Sequence, residues 1–317
     1  MQIEKLAPAF KDYLWGGTRL RDVYHKPCTL PKVAESWELS THPAGESTLS
    51  GGRWDGQPLS AYFAQNPQAM GEHCRDFPNF PVLIKFIDAR QPLSIQVHPS
   101  DGYALREEGE YGKTEMWYVM DCDPGSTLYF GVNRALAQEE FRRRIEDNTV
   151  EEVLNRVPVH PGDVFFIEAG TLHAIGAGIL ICEIQQNSNC TYRVYDYARL
   201  GPDGQPRALH IDKALAVSRL TPSPAPVQPT PTAVPGGTQT LLASCPYFTT
   251  HRYRVDTTVT LTAGPESFLS LMVMEGSGTA AGPENTVAFV PGDSLLVPAG
   301  SGDVQVSGPC LLAVTQV

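Results

Sequence analysis

The chain has 317 residues, with 24 lysines and arginines against 35 aspartates and glutamates, for a formal net charge of −11. That balance excludes a duplex nucleic-acid partner, which needs a basic face to neutralise phosphates. An anionic small molecule remains open, because screening beyond about 8 Å leaves the decision to a few local cations.

The opening MQIEKLAPAFKDYLW has no apolar signal core, and no run approaches the ~20 apolar residues that span a bilayer. No membrane association is expected. The seven cysteines are an odd number and form no C-x-x-C pair, so free thiols and a cytoplasmic setting are expected.

The 28 glycines and 27 prolines imply many turns and short strands, and hence a mainly β architecture. Along the chain, 59–74 has helical composition. Runs rich in β-branched and aromatic residues then predict strands at 80–89 and 93–98, and at 115–121. The spacing of Leu136, Phe141, Ile145, Val150, Val153 and Leu154 predicts two short helices in 135–156, broken near Asp147-Asn148-Thr149. Further strands are predicted at 164–169, 179–186 and 191–198, and a third helix at 211–220 with Asp212 near its start.

The run TPSPAPVQPTPTAVPGG, 221–237, is too rich in proline for helix or central strand and reads as a stiff extended connector. It divides a unit at 1–220 from a smaller one at 238–317.

The two units echo each other. The run from Pro161 to Gly170, P-G-D then a strand then A-G, matches the run from Pro291 to Gly300, and Val119-Met120-Asp121 upstream matches Val273-Met274-Glu275. Two similar β units suggest a duplicated small barrel, and the P-G-D-strand-A-G run resembles a motif of cupins, which are jelly-roll barrels.

In Gln96-Val97-His98 the strand period of two puts Gln96 and His98 on one face. Lys113 and Glu115 share a face by the same rule, and His173 follows the A-G turn that ends the 164–169 strand. Two histidines and a carboxylate suit a catalytic zinc, with the Gln96 amide oxygen as an added ligand. The same donors suit Fe(II). In the second unit Asp303 stands where His173 does and Leu269 where Glu115 does, so only the first unit can hold a metal.

Glu183 and Arg193 interrupt apolar strands. Each is costly if buried unpaired, and an ion pair between them is one way to meet that cost. Lys85 in VLIKFIDA reads as a lysine snorkelling at a barrel rim.

The runs W-G-G at 15–17, ESWELSTHPAGES at 35–47, FPVLIKFIDARQPLSIQVHPSD at 80–101, GKTEMWYVMD at 112–121, EAGTLHAIGAG at 168–178 and EIQQNSNCTYRVYDYAR at 183–199 resemble the short bacterial form of type I mannose-6-phosphate isomerases. The resemblance implies two cupin-type barrels, the first catalytic with helical insertions and the second degenerate and metal-free. It implies interconversion of mannose 6-phosphate and fructose 6-phosphate through a cis-enediol. It implies one Zn2+ held by Gln96, His98, Glu115 and His173, with Arg193 as the designated active-site residue and Lys113 and Glu183 as candidates for proton transfer. The expected partner is a hexose 6-phosphate, and the expected state a monomer or homodimer. Cys190 departs from the Asp or Gly expected in that run, at a turn where little depends on it. Other readings of the same donors are an Fe(II) dioxygenase, an epimerase, or a non-catalytic sugar-binding cupin.

Overall fold

The computed structural model describes residues 1–201, 204–224, 226 and 228–317. It is built from four antiparallel sheets and a few short helices.

One sheet of the first unit runs, edge to edge, Val164–Ile167, Glu115–Cys122, Ile179–Gln186, Val82–Ala89, Glu35–Leu39 and Ala9–Lys11. A second sheet runs Tyr192–Tyr195, Ile95–Val97, His173–Ala174, Thr127–Val132 and Leu154–Pro158. Ile87, Trp117, Val119 and Ile181 of the first meet Phe130 of the second, and Ile175 just past its His173–Ala174 strand, in one buried cluster, so the two sheets enclose a common interior.

Val82–Ala89 and Ile179–Gln186 are buried at every residue because both of their faces are covered. Along Val82–Ala89 alternate residues serve different cores. Val82, Ile84 and Phe86 pack outward with Met272, Met274, Leu296 and Leu311 of the second unit. Lys85 and Ile87 therefore point inward. The outer face of the second sheet is covered by the helices Gln138–Glu146 and Ile211–Val217, through Phe141, Ile145, Ala214 and Leu215.

The second unit repeats the plan. Leu269–Gly276 lies between Ser294–Val297 and Cys310–Gln316, as Glu115–Cys122 lies between Val164–Ile167 and Ile179–Gln186. Its interior is Leu269, Leu271, Val273, Val297, Val304 and Leu312, an apolar core throughout. The N-terminal strand Glu4–Ala7 pairs with Ser294–Val297 and with Thr48–Ser50, so two strands from the first fifty residues extend the sheet of the second unit. Within the proline-rich connector Thr232–Val234 forms an edge strand, where a missing N–H is tolerated.

Several elements differ from the sequence expectation. The helix of 59–74 stops at Gln65, because Pro67 and Gly71 break it into two further 3-10 turns. In 135–156 the second piece is a single 3-10 turn, Val150–Val153, leading straight into the strand Leu154–Pro158. Asn148 takes a left-handed φ of 56° at the break. The 191–198 strand ends at Tyr195, before Tyr197 and Ala198, whose φ values of 55° and 51° turn the chain away. The helix Asp101–Glu107 follows directly on the 93–98 run and is not expected from its pattern.

Candidate metal centre and active site

The second sheet lines up three of the expected residues. Gln96 sits opposite Arg193 on one side and His173 on the other, so three side chains from adjacent strands share one face. Glu115 opens a strand of the facing sheet, beside Ile167 and Gln185. His98 follows the Ile95–Val97 strand. Lys113 lies in the turn before Glu115, held by its backbone N–H to the Pro99 carbonyl at 2.9 Å. That turn needs Gly112, since a Cβ there would stand 2.5 Å from the Asp101 nitrogen.

His98, Glu115 and His173 converge in a fully buried cluster. His98 Nδ1 lies 2.9 Å from the Cys190 carbonyl and His173 Nδ1 lies 2.8 Å from the Thr171 carbonyl. A carbonyl only accepts, so both Nδ1 atoms carry the proton, and both Nε2 atoms present lone pairs inward. Those two Nε2 atoms are 3.1 Å apart, and the Glu115 oxygens lie 3.2 Å from His173 Nε2 and 3.7 Å from His98 Nε2.

Two ring lone pairs facing each other at 3.1 Å beside a buried carboxylate are costly unless a cation lies between them, and Lys113 Nζ meets that cost only from the edge of the cluster, 2.5 Å from Glu115 and 3.3 Å from His98 Nε2. The donor set fits a divalent metal, and Gln96 on the same face can add an amide oxygen. Only the backbone carbonyl of Cys190 serves this site, so the unusual side chain there leaves it intact.

The electrostatics agree with a cation site. Burial, then the Lys113 charge, holds His98 well below its usual range, and burial lowers His173 to about 4. Both rings are therefore neutral and able to ligate at physiological pH. Burial, then the Glu183 charge, pushes Glu115 upward against the opposing pull of Lys113.

Beside the cluster runs a chain of alternating charges. Lys113 Nζ is 2.5 Å from Glu115 and 3.6 Å from Glu183; Lys85 Nζ is 3.4 Å from Glu183 and 3.6 Å from Glu35. Trp117 Nε1 donates to Glu183 Oε2 at 2.8 Å, and Trp37 Nε1 donates to Glu35 Oε2 at 2.6 Å. Burial works to raise Glu183, but Lys113, Lys85 and the Trp117 hydrogen bond outweigh it and hold the carboxylate ionised.

Lys85 is not at a rim. It is 4% exposed and sits inside the barrel between two carboxylates, because the strand's other face is taken by the second unit. Nor does Glu183 pair with Arg193, since they lie on different sheets and Glu183 pairs with the lysines.

These groups line a cavity of about 280 Å³. Glu35, Lys85, Lys113 and Glu183 come from the first sheet and its approach, Gln96 and Arg193 from the second, and Trp15 and Tyr13 from the N-terminal segment. Trp15 is delivered by the glycines that follow it: a Cβ on Gly16 would meet Ala34 at 2.7 Å, and one on Gly17 would meet Asp88 at 2.2 Å.

Arg193 Nη1 donates to the Ala208 carbonyl at 2.9 Å, while its buried Nε finds no acceptor among the described residues. Arg207 also lines the cavity, from the loop after the Tyr192–Tyr195 strand, with Nε and Nη2 on Asp196 at 2.6 and 2.5 Å. Sequence reasoning puts Lys85 in the wrong setting and does not single out Glu35 or Arg207. Only the strand register and the loop fold bring them here.

Residues 3–117 match a model of the phosphomannose isomerase type I catalytic domain, and residues 237–317 match a mannose-6-phosphate isomerase cupin domain. The chain is 38% identical over 304 residues to the mannose-6-phosphate isomerase ManA of Bacillus subtilis, covering 95% of this chain and 94% of that one. It is 37% identical to the mannose-6-phosphate isomerase of Streptococcus mutans, covering 90% and 89%. The crystal structure of the mannose 6-phosphate isomerase from Bacillus subtilis superposes over the whole of both chains with a TM-score of 0.93 at 33% identity. The enzyme from Salmonella typhimurium shares the fold at 19% identity, with a TM-score of 0.80. The chain thus belongs to the type I phosphomannose isomerase family.

Proposed function

We propose that the chain interconverts mannose 6-phosphate and fructose 6-phosphate through a cis-enediol, with one zinc ion held by Gln96, His98, Glu115 and His173. The observation that carries this reading is the pair of inward-facing histidine Nε2 atoms converging with the Glu115 carboxylate, bridged through Lys113 to an ionised Glu183 that lines the adjoining cavity. A bound zinc would supply Lewis acidity, polarising the oxygens on C1 and C2.

The remaining chemistry belongs to the protein's own side chains. Aldose–ketose isomerisation moves a proton between two adjacent carbons and stabilises negative charge on their oxygens. Glu183 Oε2 is fixed by Trp117, whereas Oε1 is buried without a hydrogen bond, which leaves it free to take the carbon proton and return it to the neighbouring carbon. Lys113 and Lys85, at 3.6 and 3.4 Å from that oxygen, orient it and can donate to substrate oxygens as charge develops. Arg193 adds a fixed cation on the opposite wall. Trp15, Ile87 and Ile175 keep that part of the cavity poor in water.

The test is a coupled assay on purified protein, with mannose 6-phosphate as substrate, together with elemental analysis of the metal. Turnover with about one zinc per chain is the expected result. An oxygen-dependent reaction with iron would make the chain an oxygenase, and absence of turnover in the zinc-loaded protein would make it a binding cupin.

A further inference from the structure

We infer that Glu110 is a positioning residue for the metal ligand His98, acting through the loop that joins the Ile179–Gln186 strand to the Tyr192–Tyr195 strand. The inference rests on the reading of His98 as a metal ligand. It concerns how that ring is held rather than which reaction follows.

His98 lies just past the Ile95–Val97 strand, and the hydrogen bond that orients its ring runs from Nδ1 to the Cys190 carbonyl at 2.9 Å. A ligating imidazole is aimed by the acceptor on its other nitrogen. Here that acceptor is not on a strand. Cys190 belongs to the loop 187–191, which leaves one sheet shortly after Glu183 and enters the other just before Arg193. A loop carbonyl aims a ligand only as well as the loop itself is fixed.

The loop is fixed from two sides. From its own strand, Gln185 Nε2 donates to the Ser188 carbonyl at 2.6 Å. From across the site, Glu110 Oε2 accepts the Asn189 N–H at 3.1 Å and the Ser188 hydroxyl at 3.4 Å. The same Ser188 hydroxyl oxygen accepts the Cys190 N–H at 3.1 Å. One carboxylate oxygen thus gathers the two residues immediately before Cys190, and hydrogen bonds to an ionised acceptor are the stronger kind.

Glu110 is held in turn by His42. The Ala44 N–H donates to His42 Nδ1 at 3.1 Å, and a backbone amide only donates, so Nδ1 is the acceptor and Nε2 carries the proton. Nε2 then donates to Glu110 Oε1 at 3.2 Å. The His42 ring is buried and stands edge-on to the fully buried Trp37, with centroids 5.7 Å apart. Each oxygen of Glu110 therefore has its own donors, a rigid imidazole on one side and the loop on the other. The contacts run without a gap from His42 through Glu110 and residues 188–190 to the His98 ring.

The Glu110 side chain is 38% exposed and does not line the cavity that holds Lys113, Glu183 and Arg193. It reaches the site only through the loop. Its exposure also means that truncating it opens no buried hole, so the fold should tolerate the change.

The experiment measures zinc affinity by competition with a chromogenic chelator, and the melting temperature of the metal-free protein, for the wild type, Glu110→Ala and Glu110→Gln. Glutamine keeps one oxygen for the Asn189 and Ser188 donors and removes the charge. Zinc affinity should be about tenfold weaker in Glu110→Ala, the lower end for an outer partner of a ligand, because Glu110 acts one step back from the ring. Glu110→Gln should recover most of that affinity, and the metal-free melting temperature should change little in either variant.

Equal zinc affinity in wild type and Glu110→Ala overturns the inference and leaves the isomerase reading untouched. A glutamine variant as weak as the alanine variant also overturns it, since the lost charge rather than the lost placement would be the cause. So does a metal-free melting temperature that falls in step with affinity, which would mean a general loosening. A wild type that binds no zinc removes the ligand assignment and this inference with it. If Glu110→Ala alone binds zinc weakly but the wild type does not turn over mannose 6-phosphate, the positioning role stands and the isomerase reading fails.

Discussion

Glu115 and Leu269 hold the same position in two copies of one strand: Glu115 is paired with Ile167 and Leu269 with Val297, and each partner strand follows the same P-G-D turn. One copy spends the position on a buried carboxylate and the other on core packing. A leucine is thus compatible with this barrel at that point. Glu115→Leu is expected to fold at a cost of about 3 kcal/mol, since Lys113 loses its partner at 2.5 Å and keeps Glu183 at 3.6 Å. Metal content should fall from about one ion per chain to nearly none, with turnover lost in parallel. His98→Ala should lose metal in the same way, and full metal occupancy in either variant would remove that residue from the ligand set.

Arg193 separates catalysis from architecture. Its side chain makes one hydrogen bond to a backbone carbonyl and no ion pair among the described residues, so its removal costs the fold little. Arg193→Ala should retain metal and its melting temperature while kcat/KM falls by about a hundredfold or more, in line with the loss of a fixed charge in a buried site. Near-full turnover in this variant would count against its place in the active site.

Gly112 tests how closely Lys113 is positioned. An added methyl group would sit 2.5 Å from both the Asp101 nitrogen and the Ser100 carbonyl carbon, so backbone rather than a flexible side-chain tip must move. The shift passes to Lys113 through its bond to the Pro99 carbonyl. Gly112→Ala should cost about 1–3 kcal/mol of stability by overpacking. It should also lower kcat at least tenfold, because a displacement near 1 Å in a catalytic group has effects of that size. A variant with wild-type kcat would show that Lys113 does not need this placement.

Much of this site is legible in the amino-acid sequence. Gln96, His98, Glu115 and His173 can be singled out from strand period and from the asymmetry between the two repeats, which are local properties, and three of them, His98, Glu115 and His173, converge in the fold. The duplication itself is legible in P-G-D and A-G, since turn chemistry is local too. What cannot be read depends on what covers a face. Lys85 resembles a rim lysine because sequence does not reveal that Val82, Ile84 and Phe86 are claimed by the second unit, which turns Lys85 into the barrel. The pairing of Glu4–Ala7 with Ser294–Val297 joins residues nearly a whole chain apart, and no local pattern announces such a contact. Arg207 enters the cavity through a loop whose course is set by Asp196, again a contact between segments rather than a feature of either.

Lys85 gives a quantitative test of the buried charge chain. Its Nζ lies between Glu35 and Glu183, all three side chains being almost fully enclosed. Lys85→Met keeps the volume and removes the charge, which leaves Glu35 with only the Trp37 N–H and Glu183 with Lys113 and Trp117. Breaking a buried pair by deleting one partner costs about 3–5 kcal/mol, and the surviving partners place this case near the lower figure. Urea unfolding should show that loss, and adding Glu35→Gln should restore part of it by removing the stranded charge. Turnover should fall in both variants. A stability loss under about 1 kcal/mol in Lys85→Met would mean that the carboxylates are neutral in the folded protein.

The seam between the two units carries a second buried pair, remote from the chemistry. Lys26 Nζ lies 2.5 Å from Glu38 Oε1 and also donates to the Gly292 carbonyl of the second unit. Ser36 Oγ donates to the same Glu38 oxygen, while Oε2 is buried with no hydrogen bond. Burial raises Glu38 above its usual range against the pull of Lys26, so the ion pair only partly offsets its desolvation. Lys26→Met should therefore cost about 3–5 kcal/mol, because it leaves a buried carboxylate with one hydroxyl partner. The double variant Lys26→Met, Glu38→Leu removes both charges and should recover most of that loss, since well-packed apolar replacements of buried pairs are often neutral or better. Both variants should bind metal and mannose 6-phosphate as wild type does, because neither residue lines the cavity. If the double variant stays as unstable as Lys26→Met, the pair contributes through the Gly292 contact between units rather than through charge.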